Sequence, residues 1–318
     1  MKVIEHLKNA GDRTLFSIEI LPPLKGQNIQ PIFDAMDRLM EFEPSFVDVT
    51  YHREEYVYRN VRDGLLEKRT VRKRPGTVGI CAALKHRYEI DPVPHIICGG
   101  FTRDETEDAL LDLNYVGVDN VLVLRGDPIR SEGRFKPEPG GHAYAHELVE
   151  QVVELNSGRY LDPELRNSTR TDFCIGVAGY PEKHFEAPNP QSDLRFLKQK
   201  VESGAEYIIT QMFFDNQAYF DFVERCRAAG IHVPVIPGLK PLSSKAQLTA
   251  IPQNFYVNLP DALVEQVEKA KSKAEVEQIG IDWCIQQSKE LKAAGVPVLH
   301  FYTMGKSEAT CAVAREVF

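Results

Sequence analysis

Apolar and polar residues alternate in short runs along the chain, and stretches with a helical repeat separate those runs. Eight runs read as strands: "LFSIEIL" (15–21), "FVDVTY" (46–51), "PHIICGG" (94–100), "NVLVLRG" (120–126), "FCIGVAGY" (173–180), "YIITQMFF" (207–214), "VPVIPGL" (233–239) and "PVLHFYT" (297–303). Helical patterns at 31–42, 103–117, 142–157, 191–203, 215–229 and 274–294 fall between them. The run "TVGICAALKHRY" (77–88) follows Pro-Gly, opens on Thr77 as an N-cap and holds an Ala-Ala-Leu-Lys core, so it also predicts a helix. Alternation of strand and helix from end to end predicts βαβ units and a parallel sheet. Eight strands in 318 residues fit a (β/α)8 TIM barrel, one catalytic domain over 1–318, with reacting groups at the carboxyl ends of the strands. A doubly wound open sheet is the other architecture this pattern permits.

Side chains alternate across a strand, so Phe16, Ile18 and Ile20 share one face of the first run and Ser17, Glu19 and Leu21 the other. In a barrel the apolar face meets the helices, which turns Glu19 toward the interior near the mouth. The other strands add polar groups at or near their ends: Asp48, Thr50 and Tyr51, His95 at the start of its run, Arg125, Gly126 and Asp127, and Gln211. Apolar surroundings raise the pKa of a carboxyl such as Glu19 and keep it protonated as a general acid. Asp127, nearer the rim and beside Arg125, is expected to stay ionised. Two carboxyls set apart by their environments suit an acid and an electrostatic stabiliser.

Composition narrows the function classes. With 43% hydrophobic and 26% charged residues the chain belongs with globular proteins. Its net charge of -8 offers no basic surplus for nucleic acid. The basic stretch "EKRTVRKRPG" (67–76) reads as a solvated helix end and loop. Cys81, Cys98, Cys174, Cys226, Cys284 and Cys311 are scattered, without C-x-x-C or zinc-ligand spacing, which implies reduced thiols and no metal. The N-terminus lacks a long apolar stretch and no run reaches transmembrane length, so a reducing cytoplasm is the expected location, with no membrane partner. An "NST" at 167–169 is then a chance sequon. Neither G-x-G-x-x-G, G-x-x-x-x-G-K-[ST] nor H-E-x-x-H occurs, which removes the usual support for a Rossmann turn, a P-loop or a zinc hydrolase.

Taken together, "FSIEILPP", "DVTY", "PHIICGG", "LRGDP", "GYPEKH", "QSDLRFLKQKVESGAEYIITQMFFD", "IPGLKP" and "HFYTM" resemble the flavin-dependent methylenetetrahydrofolate reductases, in that family's order and over nearly the whole chain. The resemblance implies a (β/α)8 barrel with noncovalent FAD, reduced by NADH or NADPH and then reoxidised by 5,10-methylenetetrahydrofolate in a ping-pong exchange. The product, 5-methyltetrahydrofolate, supplies methyl groups for methionine synthesis. Glu19 matches the family's acid and Asp127 the carboxylate near flavin and pterin. The same correspondence puts Thr50 near the nicotinamide, and Tyr51, His95, Arg125, Gly126, Asp127, Ala145, Tyr180, His184, Ala187, Asp193 and Lys200 around FAD, with Lys200 neutralising phosphate. Gln211 corresponds to a contact with both alternating substrates, Gln247 and Lys306 to folate contacts. A homo-oligomer, dimer or tetramer, is implied as well.

The chain departs from the family pattern after Tyr51, where "HREEYVY" replaces small residues and leaves His52 and Arg53 without an assigned role. Lys306 stands where some bacterial members have arginine, which keeps charge but loses the bidentate fork. Ile251 takes a position that can be aromatic, and Phe196 and Gln199 replace polar or basic flavin contacts. The chain ends at Phe318, which implies the short bacterial type without the C-terminal regulatory domain and its S-adenosylmethionine control. A pterin-binding barrel that transfers a methyl or other group without redox chemistry, and a non-catalytic folate-binding protein, are the competing readings.

Overall fold

All eight apolar runs become barrel strands in the computed structural model, which describes residues 1–62, 64–129 and 133–318. The strands are β1 (Leu15–Ile20), β2 (Phe46–Val49), β3 (Glu55–Asn60), β4 (Leu66–Val71), β5 (Asp91–Ile97), β6 (Asn120–Leu124), β7 (Cys174–Gly179), β8 (Tyr207–Thr210), β9 (Val235–Ile236), β10 (Gly238–Leu239) and β11 (Val298–Tyr302). The main sheet runs β10-β11-β1-β2-β5-β6-β7-β8-β9, and every pair in it is parallel. β9 and β10 are two halves of one strand broken at Pro237, the first pairing with β8 and the second with β11, so the sheet closes on itself. Pro237 has no N–H to continue the ladder. Its carbonyl accepts from His300 N at 3.1 Å, and Gly238 N donates to Thr210 Oγ1 at 3.0 Å. Closure gives the expected eight-position barrel and rules out the open doubly wound sheet.

The helices are α1 (Val3–Ala10), α2 (Gln30–Leu39), α3 (Thr77–Tyr88), α4 (Arg103–Tyr115), α5 (Ala145–Asn156), α6 (Pro190–Glu202), α7 (Asn216–Ala228), α8 (Gln247–Phe255), α9 (Asp261–Lys269), α10 (Lys273–Ala293) and α11 (Glu308–Val317). They cover the outward strand faces, where Phe16, Ile18, Ile20, Val47 and Val49 pack with Met36, Leu39, Leu84 and Val313. Burial of that apolar face is the main favourable term for the fold. Gly76 caps α3, so Thr77 is its first helical residue and not its cap.

α1 closes the lower end. Val3 joins Phe46, Val93, Leu122, Cys174, Tyr207, Ile236 and Val298 in a separate interior cluster, with Leu7 against it. Polar contacts pin the helix across three neighbouring strand starts: Val3 N donates to Asn120 Oδ1 at 2.8 Å, His6 Nε2 meets Asp91 Oδ2 at 2.8 Å, and Lys2 Nζ meets Asp172 Oδ1 at 2.6 Å. Two glycines on strands make room for large rings inside the barrel. A Cβ at Gly176 would lie 2.3 Å from the Tyr207 ring, and one at Gly238 would lie 2.5 Å from the Tyr302 ring.

Several boundaries differ from the sequence reading. β5 begins at Asp91, so His95 lies well inside the strand and not at its start. β8 stops at Thr210, which leaves Gln211 just beyond it. The basic stretch at 67–76 is no helix end: its first part is β4, which pairs antiparallel with β3 from Glu55↔Val71 to Asn60↔Leu66. Aromatic and β-branched alternation in "EYVYRN" and the left-handed Gly64 (φ +77°) favour this hairpin.

Candidate active site

Four neighbouring strands line one wall of the interior with polar groups: His300 from β11, Ser17 and Glu19 from β1, Asp48 from β2 and His95 from β5. Inward positions of a strand recur every second residue, so the sequence alternation that aims Glu19 inward aims Ser17 there also. Ser17 Oγ and His300 Nδ1 are 2.9 Å apart, both residues fully buried. Above them Glu19 pairs in register with Asp48 on one side and Tyr302 on the other. Thr303 fixes the Glu19 backbone, its N and Oγ1 donating to the Glu19 carbonyl at 3.2 and 2.7 Å.

The Glu19 side chain is 15% exposed and its carboxyl has three polar neighbours. His95 Nε2 lies 3.5 Å from Glu19 Oε2 and 3.5 Å from Asp48 Oδ2, while Thr50 Oγ1 donates to Glu19 Oε1 at 2.9 Å. Thr50 Oγ1 is also 3.0 Å from the Ile20 carbonyl. One hydroxyl proton cannot serve both acceptors, so when Thr50 donates to Ile20 its oxygen is free to accept from a protonated Glu19. Burial, the largest influence, raises the Glu19 pKa, and Asp48 adds to the rise, against the lowering pull of His95 and the Thr50 hydrogen bond. Burial alone drives the Asp48 pKa well above the usual carboxylate range. It also pushes His95 down, with Glu19 pulling the other way. All three shifts favour neutral forms, and an acid held protonated at a barrel's upper rim is able to donate to a ligand in the mouth.

Residues 3–317 match the family model for methylenetetrahydrofolate reductase. The chain belongs to this family. It is 33% identical to the 5,10-methylenetetrahydrofolate reductase of Salmonella typhimurium, over 93% of this chain and 88% of that enzyme. It is 30% identical to the probable methylenetetrahydrofolate reductase (NADH) of Oryza sativa subsp. japonica, over 98% of this chain but 50% of that protein, and 31% identical to methylenetetrahydrofolate reductase 2 of Saccharomyces cerevisiae, over 97% and 47%. The chain thus spans about half the length of these plant and yeast relatives and most of the short bacterial ones. Among solved structures, a Clostridium thermocellum protein described as binding two copies of 5-methyl-5,6,7,8-tetrahydrofolic acid shares the fold, with a TM-score of 0.58 at 13% identity over 99% of this chain and 98% of that one.

The residues that match the family's motifs occupy the upper rim. Thr50 and Tyr51 follow β2, and Arg125, Gly126 and the exposed Asp127 follow β6. Arg125 pairs with Glu186 at 2.5 Å and stacks over Phe135 at 4.8 Å; its ion-pair partner is Glu186 rather than Asp127. Tyr180 follows β7, with its ring 4.8 Å from that of His184. Ala187 N donates to the His184 carbonyl at 3.0 Å, and His184 N to Asp193 Oδ2 at 3.1 Å. Burial lowers the His184 pKa to about 4. Asp193 and Lys200 lie on α6, Lys200 Nζ donating to the Ala178 carbonyl at 2.5 Å, and Ala145 opens α5. Burial lowers Lys200 to about 8, with Asp193 opposing the fall.

Gln211 and Gln247 each spend the amide oxygen on a nearby backbone N–H, from Met212 at 2.9 Å and Ser243 at 2.7 Å, which turns the NH2 end elsewhere. Gln247 begins α8, and Lys306 is exposed just after β11. Ile251 is 2% exposed within a side cluster with Met212, Phe214 and Leu263, so it is packing and not a ring-stacking surface. Phe196 is 49% exposed, and Gln199 lines a shallow groove of about 520 Å³ between α5 and α6, on the outside of the barrel.

The departures after Tyr51 acquire a structural setting. Tyr51 OH accepts from Arg72 Nη2 at 3.0 Å, which ties the hairpin base to the mouth, and Tyr51 with His95 lines a mainly apolar cavity of about 90 Å³. His52 is lowered by burial and by the charges of Arg74 and His95, against Asp127. Arg53 lies against Gly99 and Gly100, pairs with Glu138 at 3.2 Å, and keeps buried Nε and Nη1 donors with no acceptor among the described residues. Asp48 was visible in the sequence as an inward polar residue, but nothing there marked it as a partner of His95.

Proposed function

We propose that this chain reduces 5,10-methylenetetrahydrofolate to 5-methyltetrahydrofolate with electrons from NADH or NADPH, through noncovalently bound FAD and a ping-pong exchange that supplies methyl groups for methionine synthesis. The observation that carries this reading is Glu19, its pKa raised by burial, at the carboxyl end of β1 in a chain of this family. The bridging methylene of the folate becomes electrophilic only when its leaving ring nitrogen accepts a proton. Glu19 is the donor, and Thr50 follows the change by turning its hydroxyl from the Ile20 carbonyl to the new carboxylate.

The rim residues fit a dinucleotide such as FAD. The Arg53 donors left without a partner among the described residues and the half-buried Lys200 are the cationic groups a pyrophosphate or a flavin carbonyl requires, and Asp193 and the loop carrying Tyr180, His184 and Ala187 border Lys200. Arg125, Gly126, Asp127, Tyr51, His95 and Ala145 complete the surround. FAD supplies the two-electron exchange that no side chain of the protein performs. Asp127, open to solvent at the rim, places negative charge where a cationic folate intermediate forms. The free amide ends of Gln211 and Gln247 orient folate, and exposed Lys306 meets its anionic tail. The reading includes one catalytic unit over 1–318, a homo-oligomer (dimer or tetramer) and a cytoplasmic setting.

Anaerobic stopped-flow spectroscopy tests it. The FAD-loaded protein is expected to bleach with NADH or NADPH and to recover its absorbance on 5,10-methylenetetrahydrofolate, with 5-methyltetrahydrofolate formed in equal amount. A protein that takes up no FAD, or that handles folate without bleaching, would instead favour the non-redox group transferase.

A further inference from the structure

Asp48 presents a problem that the proposed chemistry leaves unsolved. Its side chain has no solvent exposure, and neither oxygen has a hydrogen-bond partner among the described residues. An ionised carboxylate so placed, without donors, is expensive, and a protonated one still needs an acceptor. The groups facing it are Glu19 from β1, His95 from β5, Cys81 from α3, Tyr207 from β8 and Tyr302 from β11, with His300 beyond His95. No lysine or arginine is among them.

His95 Nε2 stands 3.5 Å from both carboxyls and is itself unpartnered. It has one in-plane site, so it serves one carboxyl at a time. Glu19 has Thr50 as a second partner at 2.9 Å; among the described residues Asp48 has only the imidazole. Giving each acid proton an acceptor therefore assigns the Asp48 proton to Nε2 and the Glu19 proton to Thr50, with Asp48 Oδ1 still lacking a donor among the described residues. The 3.5 Å spacing is long for a finished hydrogen bond, and a small turn of either side chain closes it.

We propose that Asp48 is a positioning residue: as a neutral acid it donates to His95 Nε2, fixes the imidazole in its Nδ1-protonated form, and so denies Glu19 an N–H or cationic partner that would draw off its transferable proton. The assignment rests on the proposed role of Glu19 for its meaning in turnover, but the proton positions are measurable without substrate.

The test uses the full chain labelled with ¹³C at aspartate and glutamate carboxyls and ¹⁵N at histidine, titrated by infrared and NMR spectroscopy. At neutral pH, Asp48→Asn is expected to remove one protonated-carboxyl signal and Glu19→Gln another, and His95 to show the Nδ1–H tautomer. Asp48→Asn keeps a neutral donor and leaves the Glu19 midpoint in place. Asp48→Leu removes the donor and lowers that midpoint by about one pH unit, the size of an ordinary hydrogen-bond or charge effect. The alkaline limb of the folate half-reaction follows it, while reduction by nicotinamide does not. An Asp48 carboxylate signal at neutral pH, an Nε2–H tautomer in the wild type, or an unmoved Glu19 midpoint in Asp48→Leu overturns the proposal. If Asp48→Leu does not fold, the tautomer and Asp48→Asn decide. Failure of the wild type to turn over folate refutes the proposed function and leaves these proton assignments standing.

Discussion

Replacing Glu19 by Gln removes one proton and almost nothing else. The side chain is 15% exposed and burial shifts the carboxyl toward its neutral form, so for the protonated acid of the proposed reaction the amide substitutes a neutral group of the same shape that still hydrogen-bonds Thr50. Were Glu19 ionised, the change would also alter the charge near the proposed flavin site and with it the nicotinamide step. As a neutral acid its loss is confined to proton transfer. Positioned acids contribute about 10²–10⁴ in rate. Asp48 and His95, titratable groups beside it, are 0% and 5% exposed against 15% for Glu19, so neither replaces the donor, and we place the loss near 10³, or about 4 kcal/mol of barrier. Single-turnover stopped-flow measures each half-reaction separately: Glu19→Gln is expected to reduce flavin with NADH or NADPH within about threefold of wild type, and to reoxidise it with folate about a thousandfold more slowly. The sign in pH follows from the raised pKa. The protonated form is active, so the wild-type folate step falls as pH rises through the folded pKa of Glu19, and the variant shows no such limb. A folate step retained within a factor of about three, or a wild-type rate that climbs through that range, refutes the assignment.

Three further outcomes follow from the same structure. Lys200, lowered to about 8 by burial, loses its charge above that pH; FAD dissociation constants from fluorescence are expected to rise there in the wild type and to stay flat and weak in Lys200→Met. Asp48 has a folded pKa raised well above its unfolded value, so its contribution to stability is present below the unfolded pKa and is lost as pH rises through the folded one; Asp48→Asn lacks that loss, and its melting temperature relative to wild type should increase with pH in calorimetry. Gly176→Ala drives a methyl to 2.3 Å from the fully buried Tyr207 ring and is expected to cost about 1–3 kcal/mol by denaturant titration, with Gly176→Ala/Tyr207→Phe recovering little, since the ring and not its hydroxyl is struck first.

The alternation of side chains was enough to place the barrel strands and to turn Glu19 inward, because both depend on a period of two that local sequence records. Features that depend on a second segment were hidden. The β3–β4 hairpin buries almost nothing, so its basic, polar arm looked like loop; its order comes from mutual pairing and not from a core. The run read from Pro94 starts three residues late, because β5 begins at Asp91 and its Pro92 and Pro94 face Val47 and Val49 of β2. The break at Pro237 could be suspected from the residue, but not that its two halves would close opposite seams. Arg125 sits next to Asp127 in sequence and meets Glu186 in space, and Asp48 gains its meaning only from the histidine that β5 brings beside it.

Because α1 stoppers the lower end with Val3 and Leu7, the described residues leave the upper mouth as the way to Glu19. Water that would recharge a spent acid has to come through the same opening that ligands use. In the proposed reaction a bound product would shield Glu19 from the solvent, so the acid would be reset only once the product had gone. The floor of the barrel would thereby set the order of release and recharging, far from where the bonds change.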